Sequence, residues 1–152
     1  DTPILKNLQF WIMNILFLCV GNSARSQIAE GLAKNMFGQN HNIFSAGSEP
    51  SGEIHEGAIN VMKEIGIDIS NYASKSIDDL DSEFIEELDY VITLCSEEIC
   101  PILPSSAKLL KWANEDPANP NLTKIESDAL FRKTRETIFN LLKKFMLINL
   151  LK

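Results

Sequence analysis

Two uninterrupted apolar runs constrain what this chain can fold into more than any other feature. Asn14-Ile15-Leu16-Phe17-Leu18-Cys19-Val20 and Tyr90-Val91-Ile92-Thr93-Leu94-Cys95 lack the polar alternation of a half-exposed strand. Each therefore reads as a strand covered on both faces. Ile43-Phe44-Ser45-Ala46, closed by Gly47, is a shorter strand, and Lys108 to Trp112 is a candidate fourth. Between them lie segments of helical spacing. Arg25 to about Phe37 carries Ile28, Ala29, Leu32 and Met36, and Ile54 to Ile65 carries Ala58, Val61, Met62 and Ile65 before Gly66. Phe84 to Leu88 reads as a short helix. From about Ser127 a long amphipathic helix presents Leu130, Ile138, Leu141, Leu142 and Phe145. Strands alternating with helices predict an α/β fold, a parallel sheet covered on both faces by right-handed crossovers. Ligands of such sheets bind at the carboxyl ends of the strands, where Cys19, Cys95 and the segment after Trp112 all fall.

The chain's 152 residues suit one domain, which needs neither disulfide nor metal to bury a core. Met13 immediately precedes the first strand, so 13–152 reads as the single domain and residues 1–12 either as an N-terminal extension or, equally, as an ordinary arm that packs Phe10 and Trp11. The net charge of −7, with basic residues scattered, argues against nucleic acid as a partner. Three cysteines cannot form a fully paired framework within one chain. The apolar runs fall short of the roughly 20 residues that span a bilayer, and a cleavable signal pattern is lacking. A reducing, cytoplasmic setting and a monomer without membrane attachment are expected, with cysteines that are redox-active rather than structural.

Cys19-Val20-Gly21-Asn22-Ser23-Ala24-Arg25-Ser26 joins a buried strand to a helix. Small residues winding into a helix N-terminus direct several backbone N–H groups at one point and make an anion cradle. Arg25 adds a permanently charged, bidentate fork. Cys19 at the base sits in that positive potential, which favours its thiolate. Ser26 is placed to donate a hydrogen bond to the sulfur, and Asn22 to brace the loop. A bare Cys-x5-Arg spacing is weak, and a buried core cysteine is the plain alternative. The strand before, the glycine within and the helix after make the stronger case.

This loop closely resembles that of the low-molecular-weight protein tyrosine phosphatase superfamily. Within the superfamily, the chain is similar to the thioredoxin-coupled arsenate reductases from Met13 to about Lys144, including Phe44-Ser45-Ala46-Gly47. The resemblance implies a three-layer sandwich with a four-stranded parallel sheet flanked by helices, and a loop that takes arsenate, phosphate or sulfate. A phosphatase needs one cysteine, an acid and water. A reductase needs thiols that act in sequence, and Cys95-Ser96-Glu97-Glu98-Ile99-Cys100 offers two more. As the resemblance implies, Cys19 attacks arsenic, Cys95 attacks the Cys19 sulfur and releases arsenite, and Cys100 attacks Cys95. The resulting Cys95–Cys100 disulfide is then reduced by thioredoxin or a similar external dithiol, so no resident cofactor is expected. A zinc site is the competing use of three cysteines, but His41 and His55 lack the matching spacing. Some relatives carry a fourth cysteine inside the loop, where this chain has Ala24.

Trp112-Ala113-Asn114-Glu115-Asp116-Pro117-Ala118 places a carboxylate before a proline. By resemblance Asp116 is the acid that protonates the leaving oxygen, and Glu115 is a solvated charge. Asp-Pro is also an ordinary turn former. Family phosphatases usually have tyrosine after Asp-Pro, whereas Ala118 and Asn119 leave a small rim suited to a compact inorganic oxyanion. Some relatives bind a cation beside the loop. Asn22, Glu30 and Ser45 match part of that set, but the remaining acidic position is Lys75, whose ammonium is expected to pair with Glu30 instead of a metal. Arsenate reduction is the first expectation. A low-molecular-weight phosphatase with redox-protective cysteines is the second, and a non-enzymatic redox sensor or oxyanion-binding module is the third.

Overall fold

The computed structural model describes residues 12–96 and 106–150. Cys100, the first eleven residues and the last two lie outside the described residues.

Four strands, β1 (Asn14–Cys19), β2 (Asn42–Gly47), β3 (Tyr90–Cys95) and β4 (Lys108–Asn114), form one sheet in the order β2-β1-β3-β4. Every pairing is parallel, with Leu16 opposite both Phe44 and Val91. The helices are α1 (Arg25–Phe37), α2 (Glu56–Lys63), α3 (Ser82–Glu86) and α4 (Lys124–Leu150), with a 3-10 turn at Ile77–Asp79. The expected four-stranded parallel architecture is present.

Strand periodicity sorts β1 cleanly. Ile15, Phe17 and Cys19 join the larger core with Ile28 and Leu32 of α1, Met62 of α2 and Phe131 and Ile138 of α4. Leu16 and Leu18 point the other way, into a smaller core with Leu88 and Val91, backed by Ile77, Phe84 and Ile85. The two faces are thus covered unequally, and β1, with its two strand neighbours, is the most enclosed element. Burying both faces explains why its sequence shows no polar alternation.

Several boundaries differ from the sequence expectation for physical reasons. β4 continues past Trp112 to Asn114. α3 runs Ser82–Glu86 instead of Phe84 to Leu88 because the Asp81 side chain caps it, accepting the Glu83 N–H at 3.0 Å. α4 starts at Lys124, before the expected Ser127, because Thr123 and Glu126 form a capping box. The Thr123 Oγ1 accepts from the Glu126 N–H at 3.1 Å, and Glu126 Oε1 accepts from the Thr123 N–H at 2.9 Å. α2 starts at Glu56, where the His55 ring Nδ1 accepts the Gly57 N–H at 2.9 Å and caps it. It ends at Lys63, before Gly66 reverses the chain at φ +80°. Ile65 therefore falls beyond the helix and is exposed, not part of its core stripe. On α4, Ile138, Leu142 and Phe145 are buried as expected, while Leu130 and Leu141 lie at the margins and Phe131 and Thr134 complete the stripe.

No helix among the described residues is long and apolar enough to cross a membrane.

Candidate active site

Cys19 ends β1 and Arg25 begins α1, so the loop between them spans from the sheet's carboxyl edge to a helix N-terminus. That N-terminus has no side-chain cap at Ala24, which leaves its first N–H groups to the loop's concave side. The loop is held by its outward-facing carbonyls. Val20 O accepts from the Glu49 N–H at 2.9 Å, Gly21 O from the Ser51 N–H at 3.0 Å, and Ser23 O from the His55 N–H at 2.8 Å. A trans peptide points its N–H opposite its carbonyl, so this strap of residues 49–55 turns the following amides inward. The Asn22 N–H shows the result, reaching the Cys19 sulfur at 3.2 Å.

Asn22 itself takes the left-handed conformation, φ 46°, which asparagine tolerates better than most residues. Behind it, Gly47 at the end of β2 is obligatory. A Cβ there would stand 2.4 Å from the Val20 carbonyl oxygen and 3.0 Å from the Asn22 nitrogen.

A cavity of about 230 Å³ opens above Cys19, lined by Val20, Gly21, Ser23, Ala24 and Arg25 from the loop and by Asp116 and Ala118 from the segment after β4. The expected nucleophile, guanidinium and carboxylate are therefore gathered around one small space. Two loop residues, Asn22 as the expected brace and Ser26 as the expected partner of the sulfur, keep their side chains out of the cavity. Asn22 and Ser26 are fully buried behind the cavity wall. Their contribution passes through the loop: Ser26 Oγ lies 2.8 Å from the Cys19 sulfur, and the Asn22 side-chain amide donates to the Ser26 and Ser45 hydroxyl oxygens at 2.8 and 2.9 Å. Ser45 in turn donates to Glu30 Oε1 at 2.7 Å.

Glu30 is the buried acid of this layer. Lys34 bridges to its Oε2 at 2.7 Å and Lys75 to its Oε1 at 3.7 Å. Burial pushes the Lys75 ammonium below the usual lysine range, and the negative charge of Glu30 opposes that shift. The expected Lys75–Glu30 pair is thus formed, with Lys34 as a second partner that the sequence reading did not include. Among the described residues no group of three or more His, Cys, Asp or Glu side chains is assembled to hold a metal.

Asp116 sits in a short turn of its own making, its Oδ1 accepting the Ala118 N–H at 2.9 Å. The Ser127 hydroxyl on α4 donates to the Pro117 carbonyl at 2.6 Å and ties this turn down. Glu115 points to solvent as expected. The guanidinium of Arg25, itself buried, donates to the Asn114 carbonyl at 2.9 Å, clasping the anion loop to the end of β4. Neither Asn114 nor the strap of residues 49–55 was legible from residue type, because both act through backbone atoms.

The second cysteine ends β3, the strand hydrogen-bonded to β1 with Leu18 opposite Thr93. Extending that register by one residue sets Cys19 opposite Leu94, so Cys95 leaves the sheet one residue further along the neighbouring strand. Cys95 is buried, with its sulfur 4.0 Å from the Leu18 carbonyl oxygen, and belongs to the same core cluster as Cys19. Cys95 is disulfide-bonded, whereas Cys19 is a free thiol. The place expected for Cys100 lies outside the described residues.

Comparison with known proteins agrees with this geometry. Residues 14–152 match the family described as low molecular weight phosphotyrosine protein phosphatase. An arsenate reductase of Bacillus subtilis is 44% identical over 133 residues, covering 86% of this chain and 93% of the relative. Among solved structures, an arsenate reductase in the phosphate binding state superposes with a TM-score of 0.73 at 30% identity, covering 88% of this chain and 96% of that one. A thioredoxin-dependent arsenate reductase of Corynebacterium glutamicum gives a TM-score of 0.66 at 29% identity, covering 94% of this chain and 66% of that one. The free cysteine over an amide cradle, the arginine after it and the carboxylate across the cavity are thus set in a matching sequence and a matching fold, and the chain belongs to the low molecular weight phosphotyrosine protein phosphatase family.

Proposed function

We propose that this chain reduces arsenate to arsenite by passing oxidation from Cys19 to Cys95 and then to Cys100. The observation that carries the reading is the placement of two cysteines at the carboxyl ends of paired strands. Cys19 lines the oxyanion cavity, and Cys95 ends the strand beside it and belongs to the same buried cluster. A relay that starts at Cys19 needs a second sulfur in that position. The 44% identity to an arsenate reductase supports the same substrate.

Arsenate enters the cavity, its oxygens facing the inward N–H groups of residues 20–26 and the Arg25 guanidinium. The Cys19 thiolate attacks arsenic, and the leaving oxygen departs as water after taking a proton from Asp116. The Cys95 thiol then attacks the Cys19 sulfur. The sulfur–arsenic bond breaks with its electron pair left on arsenic, giving arsenite and a Cys19–Cys95 disulfide. Attack of Cys100 on Cys95 frees Cys19, and an external dithiol reduces the remaining disulfide. Thioredoxin is the reductant we favour, since one structural relative is thioredoxin-dependent.

The rim supports a compact anion. Ala118 lines the cavity where an aromatic side chain would be needed to stack on a phosphotyrosine ring. The Lys75 ammonium beside Glu30 supports a chemistry that needs no bound cation. A cytoplasmic monomer without a resident cofactor completes the proposal.

The cavity also suits a phosphate monoester, so the test separates the two activities. With thioredoxin, thioredoxin reductase and NADPH supplied, Cys95→Ser and Cys100→Ser are each expected to abolish arsenate turnover. Both variants are expected to retain any hydrolysis of a small aryl phosphate shown by the unaltered protein. Continued arsenate turnover in either variant would remove the relay.

A further inference from the structure

We infer that Gln27 is a positioning residue for the nucleophile, acting on Cys19 through Asn22 and Ser26. The inference rests on the reading of Cys19 as the attacking group and adds a residue the loop motif does not explain. Gln27 follows Ser26 on the first turn of α1, is fully buried, and does not line the cavity.

Its amide is committed in one orientation. The Gln27 Nε2 donates to the Asn22 side-chain oxygen at 2.9 Å, to the Asn22 carbonyl at 3.1 Å and to the Ala73 carbonyl at 2.9 Å. Turning the amide over would set its oxygen against three acceptors. The chosen orientation leaves the Gln27 Oε1 buried with no hydrogen-bond partner among the described residues. A buried carbonyl is rarely left so, and each such group calls for an explanation. Here the donors on the opposite side of the same amide supply it.

The consequence is directional. With the Gln27 amide and the Lys75 backbone N–H, at 2.9 Å, both donating to the Asn22 side-chain oxygen, the Asn22 NH₂ must face Ser26 and Ser45. Ser26 Oγ accepts from Asn22, and once the sulfur 2.8 Å away is a thiolate, which can only accept, the Ser26 hydrogen is the one that bridges them. Were Asn22 reversed, its oxygen would draw the Ser26 hydrogen away from the sulfur. Gln27 thus helps fix the polarity of a chain that ends on the nucleophile, and each bond in such a chain strengthens the next. The charged groups facing the same cavity as the sulfur are Arg25 and Asp116, and neither contacts Gln27 in this network.

The test reads thiolate availability without turnover, so it stands even if the relay fails. In a Cys95→Ser/Cys100→Ser background, Cys19 is the single thiol, and its iodoacetamide alkylation rate is followed against pH. Gln27→Leu is expected to slow alkylation about threefold at pH 7, the scale of one weakened bond in a polarised chain. At about pH 9.5, where an ordinary thiol is mostly ionised, the rate is expected to recover. In the Ser26→Ala background the same substitution is expected to change nothing, because the route to the sulfur is cut. Equal slowing with and without Ser26, slowing that persists at high pH, or no slowing would overturn the inference. Gln27→Met, which also removes the donors but keeps the length, repeats the test if Gln27→Leu does not fold. Failure of both to fold would likewise overturn it by making Gln27 purely structural.

Discussion

The loop after β1 and the turn after β4 deliver groups to the same cavity, but they are restrained in different ways. The first is held from outside by distant chain: residues 49, 51 and 55 bind its carbonyls, and Gln27 and the Lys75 backbone fix Asn22. The second is held largely by itself, through the Asp116–Ala118 contact, with Ser127 and the Arg25–Asn114 clasp as its ties to the body of the domain. The difference suits the work that the proposed function gives each. An anion cradle must have its dipoles in place before the ligand arrives, whereas a proton donor needs only to reach the leaving oxygen. Under that proposal, binding falls to the externally braced, rigid region and proton delivery to the adjustable one.

That division can be broken in three ways. Asp116→Asn has the largest expected effect, a loss of roughly 10²–10⁴-fold in kcat for arsenate reduction. Inhibition by phosphate should change little, since the cradle is built without Asp116. Loss of phosphate inhibition on this substitution would show that the two regions do not divide the work. Gly47→Ala comes next. Its Cβ cannot be placed without moving the Val20 carbonyl, and overpacking of this kind costs about 1–3 kcal/mol of stability, read by urea unfolding. Phosphate inhibition should weaken along with stability, because the displaced oxygen belongs to the cradle. Ser127→Ala is the mildest. Removing the hydroxyl bound to Pro117 should cost about 1 kcal/mol or less and lower kcat a few-fold, with KM for arsenate nearly constant. A larger change in KM than in kcat would place Ser127 in the rigid region instead.

How much of this was readable in advance depended on whether side chains or backbone carried the information. The strands Asn14–Cys19 and Tyr90–Cys95 announced themselves because enclosure on both faces demands continuous apolar residues. Cys19, Arg25 and Asp116 were found because their chemistry and spacing are unusual, and the cavity brings them together. Lys75 was legible as a cation standing where a carboxylate was expected, and it pairs with Glu30. The start of α4 was misplaced because Thr123 and Glu126 look unremarkable until their reciprocal bonds are seen. Asn22 and Ser26 were legible as the loop's brace and the sulfur's partner, and both side chains stand behind the wall in those places. The strap of residues 49–55 left no signal at all, because it acts through N–H groups that every residue but proline possesses.

The central claim is that the electron pair taken up by arsenic comes from sulfur, beginning at Cys19 and ending with a disulfide between the other two cysteines. A single-turnover experiment without thioredoxin tests it directly. Fully reduced protein is mixed with excess arsenate, quenched with iodoacetamide, and analysed for arsenite and for the site of alkylation. One arsenite per chain, a mass loss of two hydrogens and an alkylated Cys19 are predicted. Arsenite formed with all three cysteines still reduced, or a fully exchanged protein that yields no arsenite, would contradict the account.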